Sequence, residues 1–253
     1  VMAEFAINQY VLSYAADVNG AVTGPTPQTV DHGQDGASVT AVPDTGHHFV
    51  RWSDGSTQNP RTDLNVAGDV DVTAKFALNR YTLTYRAGAN GTITGTAPQE
   101  VNHGEDGAPV EAVPDTGYRF VVWSDGSAQN PRTDLNVTAD LTVTAAFAVS
   151  RHTLSYTAGG GGSILGASTQ TVPYGSGGTA VEAVPEEGYH FVQWSDGSVG
   201  NPRLDVNVTA DLAVAAEFAV NTYTLNYTAG AGGAILGAAA QTVPYGSGGT
   251  AVE

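Results

Sequence analysis

The sequence contains no cysteine, so disulfides and thiolate chemistry are unavailable to it, and cysteine usage leaves its redox compartment open. It has one methionine and three tryptophans, and only 9 basic residues stand against 25 acidic ones, for a net charge of −16. A chain so short of positive charge is a poor partner for nucleic acid or an anionic membrane surface. No apolar run approaches the roughly 20 residues that a membrane-spanning helix needs. What is plentiful is turn chemistry: 32 glycines and 12 prolines separate short runs rich in β-branched and aromatic residues, a composition that favours an all-β class.

Those runs repeat. Trp52-Ser53-Asp54-Gly55, followed by Asn59-Pro60-Arg61 and Asp63, returns at Trp123 and again at Trp194, 71 residues apart each time. Phe76, Phe147 and Phe218 keep the same step, as do Tyr14, Tyr85, Tyr156 and Tyr227. An ungapped period in every landmark signals a tandem array. We divide it into whole repeats at 8–78, 79–149 and 150–220. Residues 1–7 match the closing strand of a preceding repeat, and 221–253 match the opening 33 residues of a fourth, so both ends look cut from a longer array. The acid/base counts of the three whole repeats are 8/3, 8/4 and 7/2, so no repeat is basic. Only Ala77-Leu78-Asn79-Arg80 separates Phe76 from Tyr81, which predicts closely held neighbours and a stiff, elongated rod. With about 11 Å of radius of gyration per repeat, the rod should be on the order of 100 Å long.

Within a repeat the pattern predicts five strands. Tyr10, Leu12 and Tyr14 alternate on the first. The second runs through 21–30, weakened by Pro25 and Pro27, and the third covers 38–42. Asn19-Gly20, replaced by Gly161-Gly162 in the third repeat, predicts a two-residue hairpin with positive φ at both turn positions. Pro43-Asp44-Thr45-Gly46 predicts a tight turn with Gly46 left-handed. The fourth strand, 47–52, carries Phe49 and Trp52 on opposite faces unless a bulge intervenes. Val70, Val72, Ala74 and Phe76 then alternate with polar residues on a half-buried closing strand.

Trp52, Trp123 and Trp194 are expected to be core anchors, with Phe49, Phe120 and Phe191 and the closing Phe76, Phe147 and Phe218 beside them; exposed platforms for sugar rings are the alternative. Asp54 and Asp63, Asp125 and Asp134, and Asp196 and Asp205, each pair with an intervening asparagine, offer oxygens to calcium. Their spacing fits neither an EF-hand nor a nonapeptide repeat. The competing expectation is two turns, with Arg61, Arg132 and Arg203 as internal forks that pin the loop. His47 and His48 point to opposite strand faces and make no metal pair. No Gly-x-Ser-x-Gly elbow or repeated Ser-His-Asp set is present, and Gly159–Gly162 lacks the following lysine of a phosphate loop, so neither catalysis nor a cofactor is expected. Tyr174 and Tyr245, each after a proline, are candidates for exposed contact residues.

Together, Tyr-x-Leu-x-Tyr, Gln-x-Val, Pro-x-x-Gly-(Tyr/His)-x-Phe-x-x-Trp and Val-x-Ala-x-Phe resemble the internalin B-repeat superfamily, most closely its divergent (Listeria–Bacteroides) repeats. Gly117-Tyr118, Phe120 and Trp123 match its most specific run, as do Gly188-Tyr189, Phe191 and Trp194; His47 departs from it. The resemblance implies small β-grasp-like modules of a bacterial cell-surface or extracellular protein, serving as a stalk or as an adhesive repeat. The expected partners are neighbouring repeats, with a glycan or host protein as the alternative, and the incomplete pieces at 1–7 and 221–253 raise self-assembly by head-to-tail strand addition as a further one.

Overall fold

The computed structural model describes residues 2–253, so Val1, which opens the expected closing strand 1–7, lies outside the described residues. The described residues form strands, turns and loops and no helix. The chain divides into two compact units, one of residues up to 113 with 120–146, the other of 114–119 with 147–253.

The first repeat has six strands: β1 (Gln9–Ala16), β2 (Gly20–Thr23), β3 (Gln28–Asp31), β4 (Thr40–Pro43), β5 (His47–Trp52) and β6 (Val70–Leu78). The same six recur from β7 (Arg80–Ala87) to β12 (Leu141–Val149) and from β13 (Arg151–Ala158) to β18 (Leu212–Val220). Then come β19 (Thr222–Asn226) and β20 (Ala240–Pro244). Four strands make a mixed sheet in the order β3-β1-β6-β5. β1 and β6 are its parallel central pair, in register from Leu12↔Val70 to Ala16↔Ala74, and the outer pairs are antiparallel. Counted within this sheet, the order is 2-1-4-3, the β-grasp-like arrangement that the resemblance implies. An antiparallel ribbon of β2 and β4 packs over the sheet.

The core is where the two layers meet. Alternation on β1 and β6 turns Leu12, Tyr14, Val72 and Ala74 inward, and Val39 and Ala41 descend from the ribbon side. Trp52 fills the middle at 0% exposure. It stands across the β5–β6 ladder from Ala74, where only a small residue leaves room for the indole, and the third repeat pairs Trp194 with Ala216. Of the two arrangements open to Phe49 and Trp52, the chain uses the bulge. Register shifts between Phe49 and Arg51, so both rings come to one face.

Three expectations need correction. The second strand is two strands, because Gly24, at φ +111°, and the prolines at 25 and 27 break the run and send β2 to the ribbon and β3 to the sheet. Asn19-Gly20 is no two-residue hairpin: only Asn19 has positive φ (78°), and the turn carries the chain from one layer to the other. Gly20 is required for space instead, since a Cβ there would lie 2.5 Å from the Phe76 ring. Residues 2–7 form no strand and leave Phe5 95% exposed, for in a whole repeat this stretch pairs with strands that precede it. Gly46, at φ +80°, is left-handed as expected.

Candidate functional site

The recurrent loop wraps the tryptophan. Trp52 Nε1 donates to the Gln58 carbonyl at 2.9 Å, and its backbone N–H donates to the Ser56 carbonyl at 2.7 Å. Tyr14 and Phe49 approach the indole from two sides at 5.9 and 5.8 Å between centroids, and Phe76 stacks edge-on behind Phe49 at 6.1 Å. The phenylalanines are half-buried at the margin of the core, whereas Trp52, Trp123 and Trp194 are wholly enclosed. No indole face is therefore open to a sugar ring.

Arg61 covers the tryptophan, its guanidinium carbon 5.5 Å from the ring centroid, with its side chain only 7% exposed. Its Nε and Nη2 grip Asp63 at 2.9 and 2.7 Å, and Nη1 donates to Asp54 Oδ2 at 2.7 Å. Tyr14 O–H adds a bond to Asp63 Oδ2 at 2.6 Å. Arg132 and Arg203 grip Asp134 and Asp205 in the same way, with Tyr85 and Tyr156 bonded to those carboxylates, but the outer ion pairs differ. Arg132 meets Asp125 through Nη2 at 2.7 Å, its buried Nη1 left without a hydrogen-bond partner, and Arg203 Nη1 stands 2.8 Å from Asp196. The aspartates named as possible calcium ligands do converge, but around a guanidinium, and Asn59 turns away from them. Among the described residues no group of three or more His, Asp or Glu could hold a metal ion.

Electrostatics follow the geometry. The Arg61 fork holds Asp63 below the usual carboxylate range against the upward pull of burial, and Tyr14 helps. At Asp54, burial works upward, but Arg61 and the Ser56 N–H outweigh it and the net direction is down. Burial first, and then the bond to Asp63, push Tyr14 above the ordinary phenol value. At neutral pH the cluster thus holds fixed charges and a phenol that keeps its proton. It offers no poised acid, base or nucleophile.

Two more side chains stand in for missing strands. The Asn59 amide accepts from Ala41 N–H at 2.9 Å and donates to Ala41 C=O at 2.8 Å, as a neighbouring strand would along the edge of β4. Gln28 is buried and does the same for Ala37, at 2.7 and 2.8 Å. Sequence reading assigned neither role; the signal available was that asparagine recurs at 130 and 201 and glutamine at 99 and 170. Alternation along β1 turns Tyr14 inward, and only the fold brings it to Asp63, 49 residues later. Tyr174 and Tyr245 do make contacts, but within the chain: each rests on a glycine of the preceding repeat, and Tyr245 O–H also donates to Glu187 Oε1 at 2.6 Å.

A family model described as the divergent InlB B-repeat domain matches residues 10–80, 81–151 and 152–222. The chain belongs to this family, whose repeats are typical of bacterial surface proteins. Among the described residues no helix is long and apolar enough to cross a membrane.

Proposed function

We propose that this chain is a spacer segment of a bacterial cell-surface or extracellular adhesin-like protein, non-catalytic, with its repeats holding other parts of that protein away from the cell. One observation carries the reading. In every whole repeat the arginine is turned onto its own loop's two aspartates, as Arg61 is onto Asp54 and Asp63, with the tryptophan sealed beneath. Small-angle X-ray scattering with and without calcium tests it. A stiff particle on the order of 100 Å, indifferent to calcium, is the expected result. Straightening only in calcium would overturn the assignment of the aspartates to arginine, and a particle larger than one chain would favour end-to-end assembly.

A second reading, a weak adhesive contact summed along the array, is favoured by Leu64, Leu135 and Val206, aliphatic at one position of each repeat and each 67% exposed. Changing all three to serine should leave stability intact and abolish cell attachment on that reading. Unchanged attachment would exclude it.

A further inference from the structure

Consecutive repeats are joined by a single residue. In the first unit Asn79 lies between β6 and β7; its N–H donates to Gly46 C=O at 2.8 Å, and its own C=O accepts from His103 N–H at 2.9 Å. The His103 ring, which packs beside Tyr81 at 6.0 Å, rests on Gly46 so closely that a Cβ there would collide with the imidazole. Gly46 is thus fixed twice, by φ +80° and by the ring upon it. The second unit holds two more such joints. Tyr174 rests on Gly117, where a Cβ would lie 2.5 Å from the ring, with Ser150 bonded to both residues' backbones at 2.8 Å. Tyr245 rests likewise on Gly188, with Asn221 between them.

The ring pairs show what the joint needs. Tyr81–His103 becomes His152–Tyr174, with imidazole and phenol exchanged, yet centroids stay 6.0 Å apart and interplanar angles are 52° and 53°. Tyr223–Tyr245 dispenses with histidine altogether, at 6.4 Å. A joint that tolerates this exchange uses a flat ring of that thickness. The seat is matched in shape, since only a residue without a side chain leaves room for the ring.

We propose that the ring-on-glycine seat is a repeat-to-repeat recognition surface. The partner of the ring-bearing face of each repeat is the Pro-x-x-Gly turn of the repeat before it, and this seat couples the stability of the two. Hydrogen exchange on the whole chain, resolved to short segments, tests it. His103→Ala lies in the second repeat, but amides of 44–49 in the first should exchange about tenfold faster. His103→Tyr, the residue of the other joints, should keep wild-type protection there. Gly46→Ala, from the other side, should accelerate 99–106 of the second repeat. The proposal falls if His103→Ala leaves 44–49 unchanged, if His103→Tyr is as damaging as alanine, or if Gly46→Ala acts only within its own repeat. That last outcome would reduce the glycine to its φ requirement.

Discussion

Removing the guanidinium from all three repeats at once, as Arg61→Met, Arg132→Met and Arg203→Met, isolates what the fork contributes. Methionine keeps hydrocarbon over the indole but leaves Asp63 with only the Tyr14 hydroxyl. Breaking a buried ion pair by deleting one partner costs about 3–5 kcal/mol. Asp63 is 19% exposed, so water recovers part of that, and the Asp54 contact, 41% exposed on the carboxylate side, adds little after screening. We therefore expect a loss of about 2–3 kcal/mol per repeat, to which the lost cation–π contact belongs. With a urea slope near 1 kcal/mol/M for so small a unit, the midpoint followed by tryptophan fluorescence should fall by about 2–3 M. Placing the change in every repeat means that the three tryptophans report one shift rather than a mixture. Adding Asp63→Asn, Asp134→Asn and Asp205→Asn should recover part of the loss, because the stranded charge is removed. A shift below about 0.5 M in the triple variant, or no recovery on neutralising the aspartates, would refute the view that the fork locks the loop.

The other predictions concern the same cluster. Asn130→Ala deletes both bonds to Ala112 and leaves that edge of the ribbon unsatisfied, so the second repeat should lose about 1–3 kcal/mol, read as faster amide exchange at 110–113. Lowered carboxyl values at Asp63, Asp134 and Asp205 contribute stability that is present above the unfolded value near pH 4 and lost as pH falls through the folded ones; acid unfolding should show this, and the triple methionine variant should lack it. Raised phenols at Tyr14, Tyr85 and Tyr156 work at the other end: their contribution is complete below about pH 10 and lost above it, so three of the 11 tyrosines should ionise only as the chain unfolds. Reversible ionisation of all 11 with circular dichroism unchanged would contradict it.

Much of this was legible because it is local or periodic. Alternation on β1 and β6 marked the inward residues, the three-residue step from Phe49 to Trp52 raised the bulge, and a lone recurrent arginine between aspartates suggested the fork. What could not be read were relations between segments far apart in sequence. Nothing near Asn59 says that its amide will serve as a strand for Ala41, 18 residues earlier. Nor does Asn19-Gly20 reveal that its flanking strands belong to different layers, because dipeptide preference reports φ and not what the strands pair with.

Comparing the loop across repeats separates the side chains it uses from those it does not. Tryptophan, both aspartates, Asn59 and Arg61 are identical in all three, and each is bonded through its side chain. The residue whose carbonyl receives the indole N–H is glutamine at 58 and 129 but glycine at 200, because only its backbone takes part. Outward positions drift further: Thr57 becomes Ala128 and then Val199, and Thr62 becomes Leu204, with Val199 and Leu204 exposed at 72% and 57%. A ligand reading this surface would meet different chemistry on each repeat, whereas the loop's own folding would not notice. The drift weighs toward a spacer, and it confines any repeated adhesive contact to places such as Leu64, Leu135 and Val206, where the outward side chain stays aliphatic.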